Sequence, residues 1–340
     1  VYYTLKKAEQ LLNAGYVIAK SQIPVNTSGF VFEQLANKAS GHPEILAPRI
    51  KEPDVNRVIV EGENFNIEFS KVDGFLCRYD VNGISMLEKG TSLIPNFWRA
   101  GTDNDYGARL NLKYKVWKNP VMKLKGINSR VENSMVYVDA EYQMPEVFSI
   151  LKLSYVINNE GDIQVTQKLL TEKGKKVPNM FRYGMRMRMP KEMYYSHFYG
   201  RGPVENYIDR NHNSFVGIYK MTTQEQFYPY IRPQENGCKT DIRWWNQTNK
   251  GGIGLNFVAS KPFSMVALNY TIESLDDGDL KDQRHSGQVE PADFTEVCID
   301  YAQQGLGGEN SWGSTCLPQY RLTYKDYEFT YQIKPLDTVY

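Results

Sequence analysis

The stretch "NRVIVEGENFNIEFSKVDGFLCRYDVNG" (residues 56–83) alternates apolar and polar residues in three short runs. Its middle run places Phe65, Ile67 and Phe69 at every second position. Dipeptides that favour tight turns end the runs at Glu61-Gly62, Asp73-Gly74 and Asn82-Gly83. Because side chains alternate between the two faces of a strand, this period of two predicts consecutive antiparallel strands with one buried face.

The same alternation recurs along the rest of the chain. It is present in "SMVYVDAEYQM" (134–144), "FSILKLSYVINNEGDIQVTQKLL" (148–170), "RYGMRMRMP" (182–190) and "QYRLTYKDYEFTYQIKP" (319–335), the last of which we expect to form two strands. Helical patterns are restricted to "TLKKAEQLL" (4–12) and the segment after Gly107. Turn signals about every 8–12 residues favour a sandwich over a parallel α/β sheet. We therefore predict an all-β fold with one large antiparallel sandwich from residue 55 to 337.

The first 50 residues have a different character. The segment "GYVIAKSQIPV" (15–25) predicts one or two strands, and "NKASGHPEILAPRIKEPD" (37–54) is polar and contains proline, as linkers do. One or two strands cannot bury a core alone. The chain begins "VYYTLKKAEQ", without an initiator methionine or a signal peptide. We expect the N-terminal part to be the tail of a domain whose other strands precede it, or an arm on the main body.

Composition argues against several classes of partner. Forty lysines and arginines balance 39 aspartates and glutamates, so the net charge of +1 lacks the basic surplus of nucleic-acid-binding or anionic-membrane-binding proteins. No apolar run is long enough to span a bilayer. Four histidines argue against a histidine metal cluster, and the cysteines lack metal or redox spacing, which favours buried thiols. The 13% of aromatic residues suits a surface that binds sugars.

The residues alone show no catalytic machinery. The nucleophile elbow, the P-loop and the dinucleotide-binding glycine motif are all absent from the sequence, and no spacing pairs two carboxylates for glycoside hydrolysis. The segment "PNFWRAGTDNDYG" (95–107) predicts an ordered turn, since Asp103, Asn104 and Asp105 readily hydrogen-bond to nearby backbone. Such a turn either closes a strand connection or lines a site.

Four segments together resemble a known family. They are "PNFWRAGTDNDYG" (95–107), "YYSHFYGRGPVENYIDRNHNSFVGIYK" (194–220), "FYPYIRPQENGCKTDIRWW" (227–245) and "GLGGENSWGS" (305–314). In order and spacing they resemble the C-terminal small-chain region of the β-galactosidases of glycoside hydrolase family 2, the lac-operon type. The resemblance implies a galactose-mutarotase-like super-sandwich for residues 51–340. It also implies that residues 1–50 are the end of an immunoglobulin-like domain with its linker.

The resemblance also implies that the catalytic residues lie outside this chain. The family's catalytic glutamates lie on a barrel that precedes these domains, so this chain would complete the active site without performing hydrolysis alone. Trp312 matches a tryptophan on the leaving-sugar side of the site, and the polar, glycine-rich sequence around it predicts a partly exposed loop position rather than a core position. Gly107 matches the hinge of a mobile loop. Asn104 and Asp105 of the same turn are the other expected substrate-binding residues. The family usually has proline where this chain has Gly101, which should loosen the entry to the turn.

The remaining implications concern ions and partners. The backbone carbonyl of Arg232 matches a sodium ligand, and the parent enzyme would use Mg²⁺ and Na⁺, neither held firmly by this fragment. The expected partners are a β-galactoside or oligosaccharide, the upstream catalytic barrel and possible further copies in a homo-oligomer. Four charged residues around "GRGPVENYIDR" are expected to form a buried polar network that braces the fold, namely Arg201, Glu205, Asp209 and Arg210.

Two other functions remain open. A free-standing mutarotase or epimerase on the same fold would need a histidine acid and a carboxylate base in one cleft, and the scattered histidines count against it. A carbohydrate-binding or assembly module would need no chemistry, and the aromatic surplus is compatible with it.

Overall fold

The computed structural model describes residues 1–25, 32–36, 47–281 and 284–336. The chain divides into two compact units, Val1–Val31 and Phe32–Tyr340. Within the described ranges every strand pair is antiparallel and the helices are single turns. The predicted all-β, antiparallel fold is therefore confirmed.

The first unit is a two-stranded hairpin formed by β1 (Tyr2–Thr4) and β2 (Val17–Lys20). The helix expected over residues 4–12 is wrong, because the chain there makes turns with a bridge between Glu9 and Leu12. Leu11 is 92% exposed, so an apolar helical stripe would have nothing to cover within this unit. A nine-residue helix without packing is unstable in water.

A five-stranded sheet opens the second unit. Its strands follow chain order, and they are β3 (Arg49–Asp54), β4 (Arg57–Glu61), β5 (Phe65–Ser70), β6 (Leu76–Val81) and β7 (Ile84–Ser85). Phe65, Ile67 and Phe69 are buried while the residues between them are partly exposed, as the alternation predicts. The predicted linker over 37–54 is wrong in its last part, because β3 pairs with β4 there. Its residues 37–46 lie outside the described ranges.

A twelve-stranded sheet contains the remaining strands. They are β8 (Ile94–Asn96), β9 (Lys123–Glu132), β10 (Met135–Met144), β11 (Ser149–Ile157), β12 (Ile163–Thr171), β13 (Arg182–Pro190), β14 (Tyr195–Gly202), β15 (Phe215–Thr222), β16 (Lys239–Thr248), β17 (Gly254–Leu268), β18 (Phe294–Gln303) and β19 (Tyr327–Leu336). The main path runs β15-β14-β16-β17-β19-β12-β11-β10-β9, and β13 joins through β18 and also pairs with β8. Segment 319–335 forms only one of its two predicted strands, because its first half makes a 3-10 turn and a single bridge between Leu322 and Met180.

The two sheets share one apolar core. Phe69 of the smaller sheet packs edge-to-face on Tyr155 of the larger, with ring centroids 4.9 Å apart. Tyr79 also crosses between the sheets, where its hydroxyl donates to the Gly161 carbonyl at 2.7 Å. The aromatic contact favours burial of the Phe69 and Tyr155 rings, and the satisfied hydroxyl favours burial of Tyr79. The result is the predicted sandwich.

Short helices lie in the connections. They are α1 (Asp103–Gly107), α2 (Leu110–Lys113), α3 (Thr223–Gln226) and α4 (Ile272–Leu275). Helix α2 confirms the helical pattern expected after Gly107. Helix α1 follows β8 directly and lies beside the glycine-rich segment that follows β18, so it positions the candidate site.

Candidate functional site

Helix α1 begins at a capping box inside the motif "PNFWRAGTDNDYG". The Thr102 hydroxyl accepts the Asp105 backbone N–H at 3.2 Å, and the Asp105 carboxylate accepts the Thr102 backbone N–H at 3.0 Å. These two bonds satisfy amides that a helix start leaves unpaired. The predicted ordered turn is thus a short helix with a fixed start.

Arg99 anchors this helix to the body of the protein. Its guanidinium makes a two-pronged ion pair with Asp105, with Nη2 to Oδ1 at 2.8 Å and Nε to Oδ2 at 3.0 Å, and both side chains are buried. Burial alone would lower the pKa of Arg99, but the charge and hydrogen bonds of Asp105 outweigh it and raise that pKa. The predicted substrate contact of Asp105 stays a prediction, and the structure gives its carboxylate a second role in holding α1.

The segment after β18 forms a loop, which we call the Trp312 loop (residues 304–314). Arg99 donates to the carbonyls of Gln304 at 2.5 Å and Gly305 at 3.3 Å. Asn104 donates from its side-chain amide to the Leu306 carbonyl at 3.3 Å. The base of the loop is therefore attached to α1 and to the buried ion pair beneath it.

Trp312 lies at the tip of this loop and is 90% exposed. Its backbone N–H donates to the Asn310 side chain at 2.9 Å, and the Ser311 hydroxyl donates to the Asn104 side-chain oxygen at 3.0 Å. The expectation of an exposed rather than a core tryptophan is confirmed. An ordered loop that presents a bare indole is suited to stacking on an apolar ligand face.

Gly107 closes the contact between α1 and the Trp312 loop. A Cβ at this position would lie 2.0 Å from the backbone oxygen of Ser311. Glycine is therefore required here for the close approach of α1 to the Trp312 loop. The role of Gly107 as the hinge of a mobile loop stays a prediction. At Gly101, where the family usually has proline, a Cβ would lie 2.9 Å from the Tyr106 ring. The Tyr106 ring therefore packs closely against the backbone of Gly101.

Asp209 is the member of the predicted polar network that reaches the site. Its two carboxylate oxygens accept the backbone N–H groups of Leu306 at 3.1 Å and Gly307 at 2.9 Å. Glu205 bonds to Arg210 and to the Gly237 amide at 2.8 and 2.9 Å. The predicted buried network of four residues is therefore wrong: only Glu205 and Arg210 bond to each other, Arg201 pairs with Asp241 instead, and the Arg210 side chain is 48% exposed.

The third motif along the chain, residues 227–245, joins the same cluster. The Glu235 backbone N–H donates to the Ala100 carbonyl at 3.2 Å, and its carboxylate accepts from the buried Arg182 at 3.2 Å. Arg182 also pairs with Asp300 at 3.2 Å, and burial, only partly offset by Arg182, raises the pKa of Asp300 to about 7. The four motifs that are far apart in sequence therefore meet around α1 and the Trp312 loop.

The Arg232 side chain belongs to a cluster of three charged residues. It pairs with Asp277 at 3.1 Å, and Arg284 pairs with the same carboxylate at 2.7 Å. Nearby, burial and then the hydrogen bond to Glu205 raise the pKa of Tyr230 to about 12. In the part of the chain that the structure describes, no cluster of three or more His, Cys, Asp or Glu side chains could hold a metal ion. The sodium role of the Arg232 carbonyl stays a prediction.

Other expectations concern thiols and membranes. Cys238, Cys298 and Cys316 are buried, Cys77 is half-buried, and all four are unpaired, so the expectation of buried thiols is confirmed for three of them. Among the described residues, no helix has the length and apolar character needed to cross a bilayer.

Arg99 is the site residue that the sequence did not single out. The sequence did contain an indication of its burial, because Arg99 is a charged residue between the apolar pair Phe97-Trp98 and the acidic turn. A long side chain in such a position is buried only with a partner, and Asp105 lies six residues ahead. Its bonds to residues 304 and 305, more than 200 positions away, had no sequence signal.

Comparison with known proteins gives consistent matches. The family described as "Beta galactosidase small chain" matches residues 61–333. The chain is 29% identical over 335 residues to a β-galactosidase of Priestia megaterium, and 27% identical over 339 residues to one of Streptococcus thermophilus. Each match covers 98% of this chain but 31% of the relative, so the chain spans about a third of their length. A solved galactose 1-epimerase of Lactobacillus acidophilus is similar at 10% identity and a TM-score of 0.46, covering 85% of this chain and 98% of that one.

Proposed function

The chain belongs to the β-galactosidase small-chain family, and from this premise we propose that it completes the active site of a β-galactosidase. That enzyme would hydrolyse terminal β-D-galactosides, with this chain supplying carbohydrate contacts while the reacting carboxylates lie elsewhere in the parent protein. The observation that supports the proposal most is the 90% exposed Trp312 on a loop that is held by Arg99 and Asp209, residues from two of the other motifs.

The chemistry of Trp312 fits the leaving sugar. A pyranose ring has an apolar C–H face, and an indole offers a flat apolar surface of similar size. Asn104 lies beside Trp312, since it bonds to Ser311, and it can add polar contacts at the rim of such a sugar. In this proposal Trp312 stacks on the sugar that departs, and the catalytic part of the parent enzyme recognises the galactose.

The finer assignment is also a proposal. The four motifs favour glycoside hydrolase family 2 and its lac-operon type, with the catalytic glutamates on an upstream barrel. The partners would then be a β-galactoside or oligosaccharide, that barrel and, in a homo-oligomer, further copies of the parent chain. The residues before β3 would be the end of an immunoglobulin-like domain with its linker, and the small-chain domain would begin at Arg49 with β3 rather than at residue 51.

The parent enzyme's expected Mg²⁺ and Na⁺ have weak support from this chain. Two guanidinium groups, from Arg232 and Arg284, share the Asp277 carboxylate, so the local charge does not favour a cation. The residues around the Arg232 carbonyl therefore fit a sodium ion poorly, and no step of the proposed function depends on one.

Hydrolysis by the isolated chain tests this division of labour. We expect purified residues 1–340 to leave a chromogenic β-galactoside intact, because no carboxylate pair is assigned to the reaction in this chain. The complete protein that contains the chain should hydrolyse the same compound under the same conditions. Turnover by the isolated chain that survives repurification, and that is abolished by replacing one of its carboxylates, would contradict the proposal.

A further inference from the structure

We propose that Asp209 is a positioning residue that fixes the place of Trp312, an inference whose functional meaning rests on the proposed function. Asp209 follows β14 in sequence and lies half-buried beside the base of the Trp312 loop. It accepts two successive backbone N–H groups, those of Leu306 and Gly307. A carboxylate that accepts from two amides holds the peptide in one orientation, and such charge-assisted bonds are stronger than neutral ones.

Every backbone polar group of residues 304–306, the base of the loop, has a partner. The N–H groups of Gln304 and Gly305 donate to the Phe181 and Tyr320 carbonyls at 2.7 and 2.9 Å. The carbonyls of these two residues and of Leu306 accept from the Arg99 and Asn104 side chains, as described above, and the next two N–H groups bind Asp209. The base is thus fully held without belonging to a strand or a helix.

The glycines of the loop make room for Asp209 and allow the chain to turn after it. A Cβ at Gly305 would lie 2.5 Å from the Asp209 carboxylate oxygen, so glycine makes room for that carboxylate. Gly307 and Gly308 have φ values of +75° and +133°, which glycine adopts at little cost. The chain therefore turns immediately after the second amide that Asp209 holds. The direction in which residues 309–314 leave the base, and with it the place of Trp312, depends on this carboxylate.

Asp209 can be altered with less damage than Arg99. Arg99 is fully buried and its loss would leave Asp105 as an unpaired buried charge. Asp209→Asn keeps one acceptor oxygen but turns an NH₂ donor toward one of the two amides. One backbone bond is lost, while the apolar core is unchanged. The expected consequence is a displaced Trp312 loop on an intact sandwich.

The first arm of the test uses the chain labelled with 5-fluorotryptophan. The protein has five tryptophans, and the ¹⁹F resonance of Trp312 is assigned by its loss in Trp312→Phe. Asp209→Asn should shift or broaden that resonance and leave the other four in place, which also reports that the fold is intact. Asp209→Glu, which keeps both acceptors and the charge, should perturb it less and provides a second variant if the first does not fold.

The matched control is Asp326→Asn. Asp326 is an exposed loop carboxylate that accepts the Thr171 backbone N–H at 2.7 Å. Its hydrogen bonds go to Thr171 and not to the Trp312 loop. It should leave the Trp312 resonance unchanged. An unchanged Trp312 resonance in a folded Asp209→Asn protein, or equal shifts in the two aspartate variants, would overturn the positioning role.

The second arm uses the complete β-galactosidase and separates this inference from the proposed function. Inhibition by glucose should weaken about tenfold in Asp209→Asn, equivalent to 1.4 kcal/mol, while inhibition by galactose stays the same. A shifted Trp312 resonance with unchanged glucose inhibition would uphold the positioning role and contradict the proposed sugar contact of Trp312. A general loss of both inhibitions would contradict a role confined to this loop.

Discussion

Asp105→Ala should lower the free energy of unfolding by about 3–5 kcal/mol, the range found when one partner of a buried ion pair is removed. Arg99 would remain fully buried without its carboxylate, and the Thr102 amide at the start of α1 would lose its acceptor. Calorimetric or denaturant-induced unfolding of the chain measures the change. We expect this to be among the largest effects of a single polar substitution in the site.

An exposed pair provides the control for Asp105→Ala. Arg130 and Asp139 are joined at 2.6 Å, with about half of each side chain exposed. Asp139→Ala should cost only a small part of the loss at Asp105, because water already solvates both charges. The double variant Arg99→Met, Asp105→Leu should recover stability relative to Asp105→Ala, since no unpaired charge then remains in the interior. Equal losses at the two aspartates would show that Asp105 does not hold α1.

Gly107→Ala should have the second large effect, with a cost of about 1–3 kcal/mol from overpacking. The new methyl group would lie 2.0 Å from the Ser311 backbone oxygen, and neither the end of α1 nor the loop backbone can accept it without moving. The Trp312 loop should therefore be displaced. Thermal unfolding measures the cost, and the emission of Trp312, isolated by subtracting the spectrum of Trp312→Phe, reports the displacement.

The matched control for Gly107→Ala is Gly126→Ala. Gly126 lies in strand β9, is exposed, and a Cβ there would meet no atom within 4 Å. Its replacement should leave both the unfolding temperature and the Trp312 emission nearly unchanged. If Gly107→Ala behaves like this control, then the contact between α1 and the loop is not the reason for glycine at this position.

Strands could be predicted well because their pattern is local. In Arg182–Pro190 the alternation of methionine and arginine predicted β13, because from Met185 onward one face of that strand is buried and the other is partly exposed. Segment 4–12 has an equally local helical pattern, but within its small unit Leu11 remains 92% exposed. A periodic pattern predicts an element only where a surface exists for its apolar face.

The exposure of Trp312 could be predicted from the sequence, but the contacts that hold its loop could not. The composition of the Trp312 loop correctly indicated an exposed tryptophan. The acidic turn was expected to face a ligand, yet Asp105 is buried because Arg99 brings a charge into the same interior. The partners of a buried charge are brought together only by folding. Arg99 and Gly305, for example, are 206 positions apart in the sequence. The family resemblance named the motifs, and only the structure shows that they contact one another.

We propose that Trp312 is presented to a sugar rather than packed in the protein. In the complete protein that contains this chain, proposed to be a β-galactosidase, Trp312→Ala should weaken glucose inhibition by roughly tenfold, the loss expected for about 1.4 kcal/mol of aromatic stacking. Galactose inhibition should be unchanged, and Trp312→Phe, which keeps a ring, should retain most of the glucose binding. The melting temperature of residues 1–340 should also stay the same, since removing a ring that is 90% exposed leaves no cavity. Unchanged glucose inhibition in Trp312→Ala would contradict the proposed contact between Trp312 and the leaving sugar.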